Sequence, residues 1–214
     1  MGAGGDRQRR GGSRLISSAA RLILRRAQDG SWPRMRFFLD TEFVNARGRI
    51  FLVSIGIVGA DGRELYLENA EFDRFDLCDA WFRENVLGKL SGAGFSASRA
   101  EIADRVGDFL LGPGPEPEIW AHYAAHDFVA LCDLYGGVRA LPAGMPRFCM
   151  DSKAAAVLAG TRLPSQTGTP NEHHALVDAR WGKVALAALG VPFAAPDPER
   201  DHLLPDAEAG GPSP

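Results

Sequence analysis

The spacing of hydrophobic residues divides this chain into a strand-rich first half and a second half in which helices alternate with strands. Apolar runs predict three strands, at 35–41, 50–58 and 63–68. Turn residues separate them at 45–48 and 61–62. The pattern therefore predicts an antiparallel meander.

Helical spacing begins after the third strand. It predicts helices at 75–87 and 98–111, the second opened by Ser98 and Glu101 in capping-box spacing. The later predicted elements are, in chain order, a strand at 119–122, a helix at 127–135, a strand at 147–150 and a helix at 152–159. Strands first and helices interleaved later indicate an α/β fold, with helices on the faces of a mixed sheet.

Composition separates both ends of the chain from this pattern. Residues 1–34 hold eight arginines against two acids, and residues 195–214 are rich in Pro, Gly and acids. We predict a disordered basic extension at 1–34, one folded domain at 35–194 and a disordered acidic tail at 195–214. Met35 is then a candidate for the natural start. The alternative for the extension is a basic tail for RNA or a transit-like peptide.

The charge of the remaining chain limits its partners. Residues 35–214 carry 16 Lys and Arg against 25 Asp and Glu, a net charge of 16 − 25 = −9. Broad, sequence-blind binding to long nucleic acid depends on neutralising phosphates, and an acidic body disfavours it. Binding that is confined to one end of a nucleic acid strand is compatible with this charge.

Cysteine usage and hydropathy indicate the compartment. Cys78, Cys132 and Cys149 are odd in number and far apart, so neither a disulfide framework nor a zinc site is predicted. A reducing cytoplasm is the expected location. No apolar run approaches the roughly 20 residues that span a bilayer, so no membrane association is expected.

Carboxylates and a histidine occupy three separated blocks. Asp40 and Glu42 lie in FFLDTEF, Asp127 in AAHDFVAL, and His173 with Asp178 in HHALVDA. Side chains alternate along a strand, so Asp40 and Glu42 point to the same side of the sheet. Carboxylate oxygens suit hard divalent cations, and such a set is what a two-metal phosphodiesterase needs.

The three blocks, in this order, resemble those of the DEDDh 3′-5′ exonucleases, whose motifs are Asp-x-Glu, a lone Asp and His-x-Ala-x-x-Asp. The segments FFLDTEFV, SIGIV, IWAHYAAHDFVAL and HHALVDAR are most similar to the polyadenylate-specific 3′-exoribonuclease AS group. The resemblance covers about residues 35–190. It implies a ribonuclease H-like mixed β-sheet flanked by helices, and a homodimer.

The resemblance also implies roles for the site residues. Asp40 would bridge two Mg²⁺ or Mn²⁺ ions, Glu42 and Asp178 would help to hold the first, and Asp127 would serve the second. His173 would be the general base. The implied substrate is the 3′ end of single-stranded RNA, with poly(A) preferred and nucleoside 5′-monophosphates released one at a time.

Local geometry and the family spacing disagree about the histidine. His174 and Asp178 are four residues apart and would share a helix face, whereas His173 and Asp178 would diverge by roughly 140° on a continuous helix. The family pattern selects His173, with Ala175 at the small position, if His173 lies at or before the helix start. We predict His173 as the base, with His174 facing solvent or the substrate.

Aromatic residues near the acidic blocks are candidates for base stacking. Phe43, Trp120 and Tyr123 are the tentative substrate-binding residues. Tyr123 stands where many members of the wider family carry Asn. Packing in the core is the alternative for each of them.

Three other functions compete with the exoribonuclease. A 3′-5′ exonuclease on single-stranded DNA or short oligonucleotides would use the same motifs, because sugar and length preference depend on contacts that no motif reports. A non-catalytic module that binds RNA ends on the same fold belongs to another class. A phosphatase of the haloacid dehalogenase type is disfavoured, because it requires a second Asp and a Gly-Thr where Glu42, Phe43 and Val44 stand.

Overall fold

A computed structural model of the protein describes residues 34–46, 48–168 and 171–190. The predicted N-terminal extension, except for Arg34, and the predicted C-terminal tail lie outside the described residues. Arg34 already belongs to the first strand.

The strands form one six-stranded mixed sheet with the order β4-β3-β2-β1-β5-β6. Their bounds are β1 (Arg34–Ala46), β2 (Arg49–Gly59), β3 (Glu64–Asn69), β4 (Ser96–Ala97), β5 (Glu116–Ala121) and β6 (Met150–Asp151). Strands β1, β2 and β3 are antiparallel neighbours, as predicted, while β5 runs parallel to β1 and β6 parallel to β5. The fold is thus α/β, with a mixed sheet consistent with a ribonuclease H-like architecture.

Helices flank this sheet. Their bounds are α1 (Ala80–Asn85), α2 (Arg99–Leu111), α3 (Ala125–Leu134), α4 (Ser152–Ala159) and α5 (Ala175–Ala188). The capping box predicted at Ser98 and Glu101 is present at the start of α2. Among the described residues, no helix combines the length and the apolar character needed to cross a membrane.

The helix predicted at 75–87 is wrong as a single element. A 3₁₀ turn at Phe75–Leu77 ends at Cys78, whose backbone is extended, and α1 starts afresh after Asp79. The Asp79 carboxylate accepts a hydrogen bond from the Phe82 amide (2.7 Å), so it caps a new helix instead of continuing the first. The strand predicted at 147–150 is also displaced, because pairing with β5 involves only Met150 and Asp151.

The two faces of the sheet carry different cores. Helices α2 and α3 cover the face of Phe37 and Leu39, and α5 covers the opposite face at Phe38. Alternation along β1 places Asp40 and Glu42 on the same face as Phe38. The acidic pair therefore lies on the side of the sheet that α5 covers.

The first turn of α5 lies directly on the backbone of β2 at Gly56. A Cβ atom at this position would collide with backbone atoms of Ala175 and Leu176. Gly56 pairs with Asp40 in the β1–β2 ladder. The absent side chain thus lets the start of α5 approach the strand pair beside Asp40.

We expect Gly56→Ala to lower the free energy of unfolding by about 1–3 kcal/mol. The added methyl group would collide with backbone atoms of Ala175 and Leu176, which cannot rotate away as a side chain could. Urea denaturation followed by circular dichroism measures the change. Gly182→Ala is the matched control within α5, since its Cβ would meet Phe38 at an ordinary contact distance of 3.8 Å. Equal stability for the two variants would show that α5 is not held this closely to β2.

Candidate active site

Strand β1 presents Asp40 and Glu42 at the point where its ladder with β2 becomes irregular. Asp40 pairs with Gly56 and Glu42 with Ser54, and the register then shifts so that Val53 has no opposite residue. Such a bulge increases the local twist and re-aims the side chains beside it. The two carboxylates therefore lie at a bend in the central strand pair.

Asp127 reaches this strand from the first turn of α3. It is 5% exposed, and its Oδ1 accepts hydrogen bonds from both the Thr41 amide (2.9 Å) and the Thr41 hydroxyl (2.7 Å). Thr41 stands between Asp40 and Glu42 in the chain. This pair of bonds fixes the third carboxylate to the strand that carries the first two.

Asp178 comes from the first turn of α5 and is held by two donors. The His173 amide donates to its Oδ2 (3.0 Å), and the Gln166 side-chain amide donates to its Oδ1. One candidate ligand atom from each of Glu42, His173 and Asp178 lies within 4.8 Å of the others. Two segments that are distant in sequence thus meet at one point.

The position at which α5 begins removes the geometric objection to His173 as the base. Helix α5 begins at Ala175, and His173 precedes it with a left-handed backbone (φ 67°). The divergence expected on a continuous helix therefore does not apply to His173.

His174 packs into the protein instead of lying free in solvent. Its ring stacks on Tyr66 with the centroids 4.3 Å apart, and its Nε2 lies 3.3 Å from the Ser91 hydroxyl. Burial lowers the pKa of His174 below its ordinary value. The half-buried ring thus has a packing role, and the expectation that it faces solvent or the substrate stays a prediction.

Burial, followed by repulsion from neighbouring acids, perturbs the ionisation of these carboxylates. Burial, followed by neighbouring carboxylates, raises the pKa of Asp40 well above its usual range and that of Glu42 to about 8. Burial also raises the pKa values of Asp127 and Asp178 to about 6, against hydrogen bonds that lower them. The cluster is therefore short of positive charge, and its oxygen donors fit hard divalent cations such as Mg²⁺ or Mn²⁺.

The predicted aromatic residues differ in their exposure. Tyr123 is 58% exposed with a left-handed backbone (φ 57°), and the half-buried Phe43 stacks on His126 at 5.6 Å. Trp120 is only 4% exposed, and its indole N–H donates to Glu118 (2.6 Å). Trp120 packs in the core beneath α5, so its proposed stacking role is not supported.

Sequence reasoning did not find Trp81 and Lys89. The Trp81 ring meets the His173 ring edge to face, with centroids 4.9 Å apart, and is 52% exposed. Lys89 donates from its ammonium group to the Glu172 carbonyl. No sequence motif marks either residue, and a single helix at 75–87 would have placed Trp81 differently.

The chain also shows clear similarity to known proteins. No protein-family model matches it. Two curated relatives from Mycobacterium tuberculosis, one from strain H37Rv and one from strain CDC 1551, are each named 3′-5′ exoribonuclease. Each is 40% identical over 150 residues, which is 68% of this chain and 88% of the relative. The chain belongs to this 3′-5′ exoribonuclease family. Within the family, the prediction of a 3′-5′ exonuclease is supported, while its DEDDh type and poly(A) preference stay predictions.

Because folding raises the pKa of Glu42, we expect the metal-free exoribonuclease to lose stability as pH rises. The unfolded Glu42 ionises near pH 4.5 and the folded one near 8, so between these values the folded state binds more protons. This contribution is complete below about pH 4.5 and is lost as pH rises through about 8.

Urea denaturation of chelator-treated protein from pH 5 to 8 measures this loss. In Glu42→Gln, the free energy of unfolding should depend less on pH over this range. Glu64→Gln is the control, because its ion pair with Arg180 lowers the pKa of Glu64, the opposite direction. A wild-type profile that rises over this range would contradict the assignment.

Proposed function

We propose that this chain is a metal-dependent DEDDh 3′-5′ exoribonuclease that removes nucleotides from RNA 3′ ends. The observation that carries the proposal is the approach of Asp40, Glu42, Asp127, Asp178 and His173 to one another around the Asp40–Glu42 segment of β1, from three distant parts of the chain. The names of the two relatives support the same activity. A surface that only bound RNA ends would not need so costly a cluster of buried and half-buried acids.

The carboxylates would hold two divalent ions. Asp40, Glu42, Asp127 and Asp178 are the residues that would hold them. When bound, such ions lower the pKa of a water and stabilise the charge on the attacked phosphate and on the leaving oxygen. Thr41 fixes Asp127 through two hydrogen bonds, so this ligand is oriented before a metal arrives.

His173 would remove the proton from the attacking water. Its side chain is 37% exposed, so the imidazole has access to solvent. Its amide is bonded to Asp178 and the edge of Trp81 lies against its ring. These contacts orient the base next to the carboxylates.

The substrate in this proposal is the 3′ end of single-stranded RNA. Tyr123, with Lys153 lying 6.0 Å from its ring centroid, offers an exposed face for a base, and the half-buried Phe43 is a second candidate for stacking. A preference for poly(A), a homodimeric assembly and a cytoplasmic location belong to the proposal through the family resemblance. A mass equal to that of one chain, measured by light scattering, would contradict the proposed homodimer.

The first test is digestion of 5′-labelled poly(A), mixed-sequence RNA and single-stranded DNA with Mg²⁺ or Mn²⁺. We expect a ladder of single-nucleotide steps on RNA that disappears with chelator and in Asp40→Ala. A faster ladder on poly(A) than on mixed RNA would establish the base preference. Equal or faster digestion of DNA would favour the DNA exonuclease, and no cleavage of any substrate would favour the RNA-end-binding module.

The two histidines have different expected phenotypes. His173→Ala should lower kcat by about 10²- to 10⁴-fold, the usual contribution of a general base. His174→Ala removes the stack on Tyr66, so it should lower the thermal midpoint while kcat stays within about tenfold of wild type. Steady-state kinetics on one RNA oligonucleotide and thermal unfolding measure both effects. The reverse pattern would assign the base to His174.

A further inference from the structure

Glu68 is a buried carboxylate on β3 that belongs to none of the three acidic blocks. It is 6% exposed. The Tyr66 hydroxyl donates a hydrogen bond to its Oε1 (2.9 Å), the Ser91 amide donates to the same oxygen, and the Gly92 amide donates to Oε2 (3.1 Å). A carboxylate buried without such donors would be strongly destabilising. Because the donors come from two separate elements, Glu68 joins the loop at residues 91–92 to β3.

The register of the sheet places this carboxylate on the same face as the β1 acids. Strand β2 lies between β1 and β3 and is antiparallel to both. Two rows of paired residues cross the three strands, and these are Asp40, Gly56 and Tyr66, and Glu42, Ser54 and Glu68. Residues directly opposite each other on antiparallel strands point to the same face. Tyr66 and Glu68 therefore face the start of α5 from β3, as Asp40 and Glu42 do from β1.

Two of the partners of Glu68 also hold the imidazole of His174. The Tyr66 ring stacks on it with the centroids 4.3 Å apart, and the Ser91 hydroxyl lies 3.3 Å from its Nε2. The Nδ1 atom of His174 is buried, and no group in the described part of the chain forms a hydrogen bond with it. The ring is therefore held by the stack and by the Ser91 contact, and each of them depends on a group that Glu68 fixes.

His174 in turn connects to the proposed base and to Asp178. It directly follows His173, and its carbonyl accepts the first bond of α5 from the Asp178 amide (3.0 Å). The His173 amide donates to the Asp178 carboxylate (3.0 Å). His173 also has a left-handed backbone (φ 67°), a conformation that persists where surrounding contacts over-determine it. A displacement of the His174 ring would thus disturb a turn that depends on its contacts.

We propose that Glu68 is a positioning residue for the base His173 and acts through His174. Its carboxylate fixes the aromatic ring and the loop that hold the His174 imidazole, and the imidazole fixes the turn that carries the base. This network of contacts does not depend on the proposed function, whereas its effect on turnover rests on it.

The test is whether Glu68 and His174 affect turnover independently. Glu68→Gln keeps the size of the side chain but introduces an N–H₂ donor where the neighbouring amides and hydroxyl also donate. We expect it to lower kcat on one RNA oligonucleotide by about three- to tenfold with KM nearly unchanged, because the base is held less precisely. His174→Ala should lower kcat to a similar degree. The double variant should lose no more than either single variant, because both changes break the same route.

Glu118→Gln is the matched control. Glu118 is also a buried carboxylate (5% exposed), and it accepts hydrogen bonds from the side chains of Arg36 and Trp120. It lies on β5, which β1 and β2 separate from β3. The change should lower the thermal midpoint at least as much as Glu68→Gln does, because it breaks a buried ion pair. Measured well below both midpoints, kcat should nevertheless stay within about twofold of wild type.

Amide hydrogen exchange in the metal-free protein, followed by NMR, tests the network without activity. In Glu68→Gln the Gly92 amide should exchange about tenfold faster, because its acceptor has changed. The His173 amide should exchange faster too, because the displacement reaches the turn. The Thr41 amide is hydrogen-bonded within the acidic site but outside this network, and it should keep the wild-type rate.

If Glu68→Gln does not fold, Tyr66→Phe combined with Ser91→Ala takes its place. These changes remove the hydroxyl that bonds Glu68 and the hydroxyl beside His174. They keep the ring of residue 66 and the amide of residue 91, so the fold should tolerate them. We expect kcat to fall in the same way, with KM again nearly unchanged.

Wild-type kcat in Glu68→Gln would overturn the positioning role. Independent effects would overturn it as well, that is, a double variant with His174→Ala that loses the product of the two single losses, since Glu68 would then act by another route. If the wild-type protein cleaved no RNA, the proposed function would fall. The exchange rate of the His173 amide would still decide whether Glu68 positions this turn, because an unchanged rate in Glu68→Gln would contradict it.

Discussion

The contact between the backbone of β2 at Gly56 and the first turn of α5 is the constraint on which the site depends. It places Ala175 and Leu176 against the strand pair at the position of Asp40. Asp178 lies within the same turn of α5, and His173 directly precedes it. A side chain at position 56 would push this whole group away from the β1 carboxylates, so one absent methyl sets the spacing between the first and third acidic blocks.

That closeness has an electrostatic cost which the protein meets only in part. Burial raises the pKa of Asp40, Glu42, Asp127 and Asp178, and repulsion from neighbouring carboxylates adds to the rise, most clearly for Asp40 and Glu42. Donors from Thr41, Gln166 and the His173 amide satisfy individual oxygens but bring no net charge. A site that is held rigid and left short of positive charge favours the binding of cations.

The parts of the molecule that depend on periodicity were predictable from the sequence. The meander of β1, β2 and β3 and the capping box of α2 follow from alternation and from local turn chemistry, and both are present. The order and spacing of the three acidic blocks also led to the prediction that they form one site. The division of the predicted 75–87 helix at Asp79 was not predictable in the same way. Whether an aspartate inside a helical pattern caps a new helix depends on the direction that the chain takes after it in the folded protein.

Side-chain environment was the least predictable part. Trp120 and Tyr123 are three residues apart and equally plausible as stacking residues in the sequence, yet one is 4% and the other 58% exposed. The difference arises because β5 ends at Ala121: Trp120 still lies within the sheet beneath α5, and Tyr123 lies in the left-handed turn beyond it. Thr41, Trp81 and Lys89 belong to the same category, since their partners lie 86, 92 and 83 residues away.

The negative charge of the protein conflicts with an anionic RNA substrate, and the carboxylate cluster resolves this conflict. A protein that bound long RNA through its whole surface would need a basic face. With the proposed divalent ions bound, the anionic cluster would supply positive charge only at the end of the strand, because the ions would reverse the sign of the local field. The net charge of −9 on residues 35–214 then disfavours contact with the rest of the RNA, which suits an enzyme that acts at a terminus and advances one nucleotide at a time.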